Sequence, residues 1–517
     1  MMRALLPAML VALGGLAVTS RDRPSAASSQ TPPAQAISRV ASESEARAVC
    51  GTACHLMPPP DVLPRQAWRD TIARMTLLMQ NQPEPVGPPG TASKTVKLPP
   101  EVQRVLAYYE QNAPEQLAAP TPWPRADASQ FHIRRFSPAD GPPAPAVTHV
   151  RFLDLDRDGR LEIVATEMRY GYILAGDPAR EDGRLELIGS GANPARFERL
   201  DWDGDGVDDL MVGDLGRFLP GDHTDGAILW LRGEKRLQYS RSALEGWPRV
   251  ADVRGGDFNG DGKTDLIVAA FGWRTVGKVI LLENQTKDYD QPLLMPHVVD
   301  PRPGAIHVIP VELNGDNQLD LVALISQQYE SVVAYINTGN FTFKAEPIYT
   351  APHPNWGSSG IELVDFDGDK DLDVLLAHGD TFDDAIIKPY HGIQWLENKG
   401  TYPYVAHHLA DLPGVFGIKM GDLDGNGLLD VVACAFIANR AYVGDADMPA
   451  LVWLAQVRPG EFERRTLERS FPRHASLDLA DVDKDGDLDI LVGNFAAGPD
   501  PTQPWVQLWE NRKAGSR

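Results

Sequence analysis

DLDRDGRLE at residues 154–162, DWDGDGVDD at 201–209, DFNGDGKTD at 257–265, ELNGDNQLD at 312–320, DFDGDKDLD at 365–373, DLDGNGLLD at 422–430 and DVDKDGDLD at 481–489 are seven copies of one nine-residue pattern. Each copy carries an oxygen-bearing side chain at positions 1, 3 and 5 and a carboxylate at position 9. The sets are Asp154, Asp156, Asp158 and Glu162; Asp201, Asp203, Asp205 and Asp209; Asp257, Asn259, Asp261 and Asp265; Glu312, Asn314, Asp316 and Asp320; Asp365, Asp367, Asp369 and Asp373; Asp422, Asp424, Asn426 and Asp430; and Asp481, Asp483, Asp485 and Asp489. Oxygens at positions 1, 3 and 5 of a tight loop converge on one centre, and Gly at position 6 permits the sharp turn, as at the start of an EF-hand loop. The closing carboxylate stands at 9 and not 12, and runs such as DLIVAA and DVVACA follow. They are apolar and rich in β-branched residues, so they predict buried strands and exclude a helix–loop–helix site.

Three or four formal negative charges within a few ångströms repel one another strongly, so the loops are expected to bind up to seven Ca2+. Magnesium, which keeps its waters, suits such oxygen-rich cages less well. Asp- and Gly-rich turns holding no ion are the plain alternative. Position 2 is always apolar (Leu155, Trp202, Phe258, Leu313, Phe366, Leu423, Val482), which turns one side of each loop toward a core.

Successive loops start 47, 56, 55, 53, 57 and 59 residues apart, the length of a four-stranded propeller blade and far more than a nonapeptide β-helix repeat. The seventh unit ends after WVQLWENRK with no fourth strand, while QFHIRRFS at 130–137 stands unassigned upstream. The amino-terminal segment is therefore expected to complete the last blade and leave no open sheet edge.

This pattern resembles the FG-GAP/VCBS family of calcium-loop β-propellers, seen in integrin α-chain heads and secreted bacterial proteins, over about residues 130–517. The fold class expected is mainly β: a seven-bladed β-propeller with calcium loops, preceded by a small α-helical domain. The copies depart from the pattern at Glu312, Asn317 and Lys370, the last two standing where the others have Gly. A left-handed Lys370 costs on the order of 1 kcal/mol. The fourth loop is expected to bind most weakly.

Arg3 and the apolar run Ala4 to Val18 read as a secretory signal peptide (1–20), too short to span a bilayer. A disordered segment (21–43) is expected to follow, then a small helical module (44–118), a Pro-rich spacer (119–129) and the propeller (130–517). A periplasmic or secreted location is expected, with no stable membrane insertion. The net charge of −22 argues against nucleic acid and anionic membranes as partners. Three cysteines make no disulfide framework, and Cys434 in DVVACAF reads as a small buried residue.

CGTACH places Cys50, Cys54 and His55 in an order that resembles the CxxCH haem-attachment motif with one extra residue. The resemblance implies that residues 44–118 are a cytochrome c-like domain, with haem c held by two thioethers and His55 on the iron. LPRQAWRDTIARMTLLM predicts a helix from Pro64 with Trp68, Ile72, Met75 and Met79 on one stripe. Met75, ahead of Met79, is the expected distal ligand, and PPEVQRVLAYYEQ forms a helix over the haem. A local Cys50–Cys54 disulfide and an ordinary core stripe are the alternatives.

No GxSxG elbow, Walker loop or HExxH appears, so enzymatic activity is supported only as that of a haem-linked oxidoreductase. Insertions after the second strands bring His378, Asp380, Asp383, Tyr390, His391, Arg440 and Tyr442 toward one mouth, where a polar pocket is expected. Two readings follow: extracytoplasmic electron transfer with a redox partner protein, or calcium-dependent adhesion with a carbohydrate or protein ligand at a propeller face.

Overall fold

The computed structural model describes residues 40–512 except 51–55, 81, 83–89, 236, 383, 385, 439–446 and 497–502. Its architecture is mainly β, with five four-stranded sheets, one eight-stranded sheet and a short helical segment at the amino-terminal end. The segment expected to be a signal peptide lies outside the described residues. Among these, no helix is long and apolar enough to cross a membrane.

Each acidic loop joins the first and second strands of a group of four. The second strands, Glu162–Glu167, Asp209–Asp214, Asp265–Ala270, Asp320–Ile325, Asp373–His378, Asp430–Ala435 and Asp489–Asn494, all begin on the position-9 carboxylate and are buried throughout. Cys434 lies fully buried in one of them. Continuous burial explains why these runs are unbroken apolar stretches and not alternating ones.

The first strands are Val147–Leu153, Pro194–Leu200, Val250–Gly256, Ala305–Val311, Ser358–Val364, Val415–Gly421 and His474–Ala480. They contact one another in that order, and the last returns to the first, which sets every group around one axis. Fourth strands, such as Gln238–Trp247, face outward with mixed exposure.

The strand Phe131–Pro138 pairs antiparallel with Val506–Asn511, the last among the described residues, from Phe131 opposite Asn511 to Phe136 opposite Val506. This is the completion expected from QFHIRRFS. The same strand also makes a two-residue parallel pairing, Ser137 with Arg184 and Pro138 with Leu185. That contact fuses two groups into the eight-stranded sheet, a feature the repeat spacing does not announce.

The helical segment comprises α1 (Glu43–Cys50), α2 (Arg65–Met79), α3 (Thr91–Thr95) and α4 (Pro100–Asn112). At the start of α1, Ser42 and Glu45 form a capping box: Ser42 N–H donates to Glu45 Oε2 at 2.8 Å and Glu45 N–H to Ser42 Oγ at 3.3 Å. Trp68 of α2 stacks on Tyr109 of α4 with centroids 3.9 Å apart. Trp68 Nε1 donates to Pro60 O and Tyr109 Oη to Pro58 O, both at 2.9 Å, so these buried rings leave no polar atom unpaired.

The spacer expected at 119–129 is a packed strap. Trp123 is buried, its Nε1 donates to Asp411 O at 2.8 Å, and Asp127 N–H donates to Thr466 O at 2.8 Å. An indole of that size supplies more burial than Pro-rich composition supplies stiffness.

Candidate metal loops and the helical seam

Position 6 adopts a left-handed backbone in all seven loops, with φ of 83° at Gly159, 88° at Gly206, 82° at Gly262, 63° at Asn317, 79° at Lys370, 88° at Gly427 and 94° at Gly486. In six loops its N–H donates to the position-1 carboxylate: Gly159 to Asp154, Gly206 to Asp201, Gly262 to Asp257, Lys370 to Asp365, Gly427 to Asp422 and Gly486 to Asp481. In the fourth loop the longer Glu312 turns its Oε1 onto the N–H groups of Asn314 and Gly315 instead.

The position-9 carboxylate folds back over its loop. One oxygen accepts the position-2 N–H in every copy: Glu162 from Leu155, Asp209 from Trp202, Asp265 from Phe258, Asp320 from Leu313, Asp373 from Phe366, Asp430 from Leu423 and Asp489 from Val482. In six copies the other oxygen accepts an N–H from the third strand or the residue just after it, at Gly233, Asn284, Asn337, Asn398, Gln456 and Asn511. Position 9 is therefore a structural staple as well as a candidate ligand.

Among the described residues, three carboxylate oxygens gather within 4.8 Å of one another in five loops: Asp154, Asp156 and Glu162; Asp201, Asp203 and Asp205; Asp365, Asp367 and Asp369; Asp422, Asp424 and Asp430; Asp481, Asp483 and Asp485. The third and fourth loops carry Asn at position 3. Asn259 Nδ2 donates to Asp261 at 3.2 Å and Asn314 Nδ2 to Asp316 at 3.1 Å, so part of their negative charge is already met.

Burial, with the loop carboxylates adding to it, pushes Asp209 and Asp265 up to about 6 and Asp489 up to about 7, and raises Glu162, Asp320, Asp373 and Asp430. Asp154 Oδ1 and Asp201 Oδ1 are buried without a hydrogen-bond partner. Hard, anionic and partly unsatisfied, this donor set fits a Ca2+ ion. Basic side chains compete for some of it: Arg232 lies 2.5 Å from Asp203 and Lys399 3.7 Å from Asp367.

Two recurring signals go beyond the acidic positions. Position 4 is also left-handed, from Arg157 (57°) and Gly204 (72°) to Lys484 (65°), and five copies place Gly there. The Asn at the third-strand end bonds sideways: Asn337 Nδ2 donates to Phe258 O and Asn511 Nδ2 to Leu423 O, each reaching the preceding acidic loop.

At the other candidate site Cys50 ends α1, half-buried against the apolar cluster that includes Tyr109, and burial pushes its thiol up. Cys54 and His55 lie outside the described residues. On α2, Trp68 and Ile72 are buried, Met75 is half-buried and Met79 is 64% exposed. Met79, the last residue of α2, is the exposed end of the expected stripe. A cavity of about 350 Å³ in this segment is lined by Arg69, Ala73, Leu98, Leu106 and neighbours. Neither Cys50 nor Met75 lines it.

Of the residues expected to line a pocket at the mouth, Tyr390 lies in a packed seam with the helical segment. Tyr390 Oη donates to Val62 O or Asn355 O, each 3.2 Å away, and Ile386 and Tyr390 pack against the helical cluster. His378 and His391 are fully buried beneath it. Burial drives His353 down to about 4 and His378 to about 3, so all face the interior neutral. Asp383, Arg440 and Tyr442 lie outside the described residues.

Residues 312–376 match the family model of the FG-GAP-like repeat and residues 250–282 that of the FG-GAP repeat, stretches that contain the third, fourth and fifth acidic loops. The chain carries FG-GAP repeats in these two places. A search of curated proteins gives no match. Among solved structures, the chain is similar to the crystal structure of BBS1N in complex with ARL6DN, soaked with lead (8% identity, 75% of this chain and 99% of that one, TM-score 0.41). It is also similar to Kuenenia stuttgartiensis hydrazine synthase (14% identity, 69% and 94%, TM-score 0.41).

Proposed function

We propose that this protein is an exported, seven-bladed β-propeller that works as a binding or adhesion platform, its blades braced by calcium in the acidic loops. The observation that carries this reading is the repeated closure of the loops: one position-9 carboxylate bent over each of seven turns, with three carboxylate oxygens within 4.8 Å in five of them. Four strands per acidic loop, with the first strands in a ring, support seven blades. The fitting ligand is a protein or carbohydrate held at a propeller face. Metal analysis after exhaustive dialysis tests the core of the proposal. Several calcium ions per chain are expected, with the fourth loop emptying first; a protein free of calcium that melts at the same temperature with and without EDTA would refute it.

A second reading, electron transfer through a haem at Cys50, Cys54 and His55 with Met75 opposite, is favoured by one feature, the placing of Cys50 at the end of α1 against the cluster that α2 and α4 form. A haem held there would supply one-electron chemistry. Visible spectra of protein made with a cytochrome c maturation system decide it: sharp reduced bands support it, and their absence leaves the binding platform alone.

A further inference from the structure

Position 4 of the acidic loops is left-handed in every copy, and five copies fill it with the residue that adopts this backbone without strain: Gly204, Gly260, Gly315, Gly368 and Gly425. The first and seventh loops place cations there instead, Arg157 at φ 57° and Lys484 at φ 65°. Both side chains leave their own loop. Lys484 Nζ donates to Gly159 O of the first loop at 2.6 Å, and Arg157 Nη1 donates to Gly206 O of the second at 3.2 Å. One contact is thus made twice: a position-4 cation holds the position-6 carbonyl of the next loop around the ring.

The glycine held in this way is the one that orients a candidate ligand. Gly159 N–H donates to Asp154 Oδ2 at 2.9 Å and Gly206 N–H to Asp201 Oδ2 at 3.0 Å. Fixing the glycine carbonyl from outside therefore fixes the residue that aims the position-1 carboxylate. A second departure from the repeat reinforces the boundary between the first and second loops. Position 8 is Leu in five copies and Thr in one, but Asp208 in the second loop, where it is 7% exposed. Arg157 grips Asp208 with two nitrogens, Nε at 2.8 Å and Nη2 at 2.5 Å. Arg199 closes the circuit: its Nη1 donates to Asp154 O at 2.5 Å and stands 3.2 Å from Asp208 Oδ2. Two residues that break the nine-residue pattern, 51 positions apart, pair with each other across the boundary between two loops.

We propose that Arg157 and Lys484 are positioning residues that couple three metal loops, so that filling the seventh favours the first and filling the first favours the second. This rests on the calcium reading above. A loop closed on its ion holds position 4 still, and the cation there carries that order to the glycine of the next loop. The bonds are charge-assisted and so of the stronger kind. Where position 4 is Gly no side chain can make the contact, so the fourth and fifth loops lack it on both sides. The coupled set straddles the place where the ring closes, because Phe131–Pro138 joins the last group of four strands to the first.

Amide hydrogen exchange of the full chain, read loop by loop at buffered free calcium, tests the coupling. Asp156→Ala, which removes a candidate ligand of the first loop, should raise the calcium needed to protect the second loop by about threefold, the worth of one hydrogen bond, and leave the fourth and fifth loops unmoved. In an Arg157→Gly background Asp156→Ala should no longer reach the second loop; glycine suits the left-handed backbone, so this variant keeps the fold. Arg157→Lys, which can make the contact that Lys484 makes, should restore part of the coupling. Lys484→Gly is the matching break between the seventh and first loops. A second loop indifferent to Asp156→Ala, or one that follows it equally with Arg157→Gly in place, would overturn the coupling and leave the calcium reading standing. Loops whose exchange ignores calcium altogether would sink that reading, and the coupling with it.

Discussion

The acidic loops and the helical seam are both held by hydrogen bonds to backbone groups, yet they are assembled in opposite ways. Inside a loop the partners lie within nine residues or on the next hairpin, as in Gly486 N–H with Asp481 and Val482 N–H with Asp489. At the seam they are hundreds of residues apart, as in Tyr390 with Val62. Local partners repeat with the sequence and can be read from it; distant partners follow from how the finished fold places two surfaces together. The loops also concentrate charge at the surface, whereas the seam buries neutral rings and histidines.

The largest effect expected from this contrast is that of chelation. Each occupied site at a hundred times its dissociation constant contributes roughly 3 kcal/mol, so stripping several loops should lower the melting temperature by about 10 °C or more. Readded calcium should restore it. Fluorescence from Trp356 and Trp68 at the seam, measured well below the melt, should stay unchanged; a seam signal that moves with EDTA would erase the distinction between the two regions.

Next comes a charge on the seam side. Glu330 is buried, with Ser358 N–H donating to its Oε2 at 2.8 Å, and burial pushes it up to about 8 from 4.5. Between those values the folded chain holds a proton that the unfolded chain has released, so stability falls as pH rises from about 5 to 8 and levels off above. Glu330→Gln keeps an acceptor for Ser358 and removes the charge. It should stabilise the protein at pH 8 by up to ~4 kcal/mol and change little at pH 5. Denaturant melts at the two pH values check this, and equal effects at both would show that Glu330 stays ionised.

Much of the loop side was legible because period and chemistry coincide: the 47- to 59-residue spacing announced groups of four strands, and QFHIRRFS announced the closing strand. Two loop signals went unused although they recur, Gly at position 4 and Asn at the third-strand end. Each looks like ordinary turn composition until its neighbour in space is known. Trp123 was the one hint that residues 119–129 are a strap, and His378, Tyr390 and His391 read as a polar pocket because nothing local shows that a helical segment covers them. The eight-stranded fusion rests on two residue pairs, too little to leave a pattern.

Tyr390→Phe sharpens the seam half of the comparison. The hydroxyl donates to a backbone carbonyl while the ring stays packed beside Trp356, with centroids 5.9 Å apart. Losing one neutral hydrogen bond and keeping the packing should cost about 1 kcal/mol. Amide exchange should quicken around Val62 and in α2 and remain as in wild type in the acidic loops.

The smallest effect concerns a single loop residue. Lys370 holds φ 79° where five other copies have Gly, and its N–H donates to Asp365 Oδ2 at 3.1 Å, a bond glycine keeps. Lys370→Gly removes ~1–2 kcal/mol of left-handed strain and adds roughly 0.4–1 kcal/mol of unfolded-chain entropy. A net gain of about 0.5 kcal/mol is expected with calcium present. Without calcium the loop also loses a positive charge beside Asp365, Asp367 and Asp369, so the gain should shrink or reverse. Paired melts with and without EDTA read this difference directly. An equal gain under both conditions would mean that the fifth loop feels strain alone and not a bound cation.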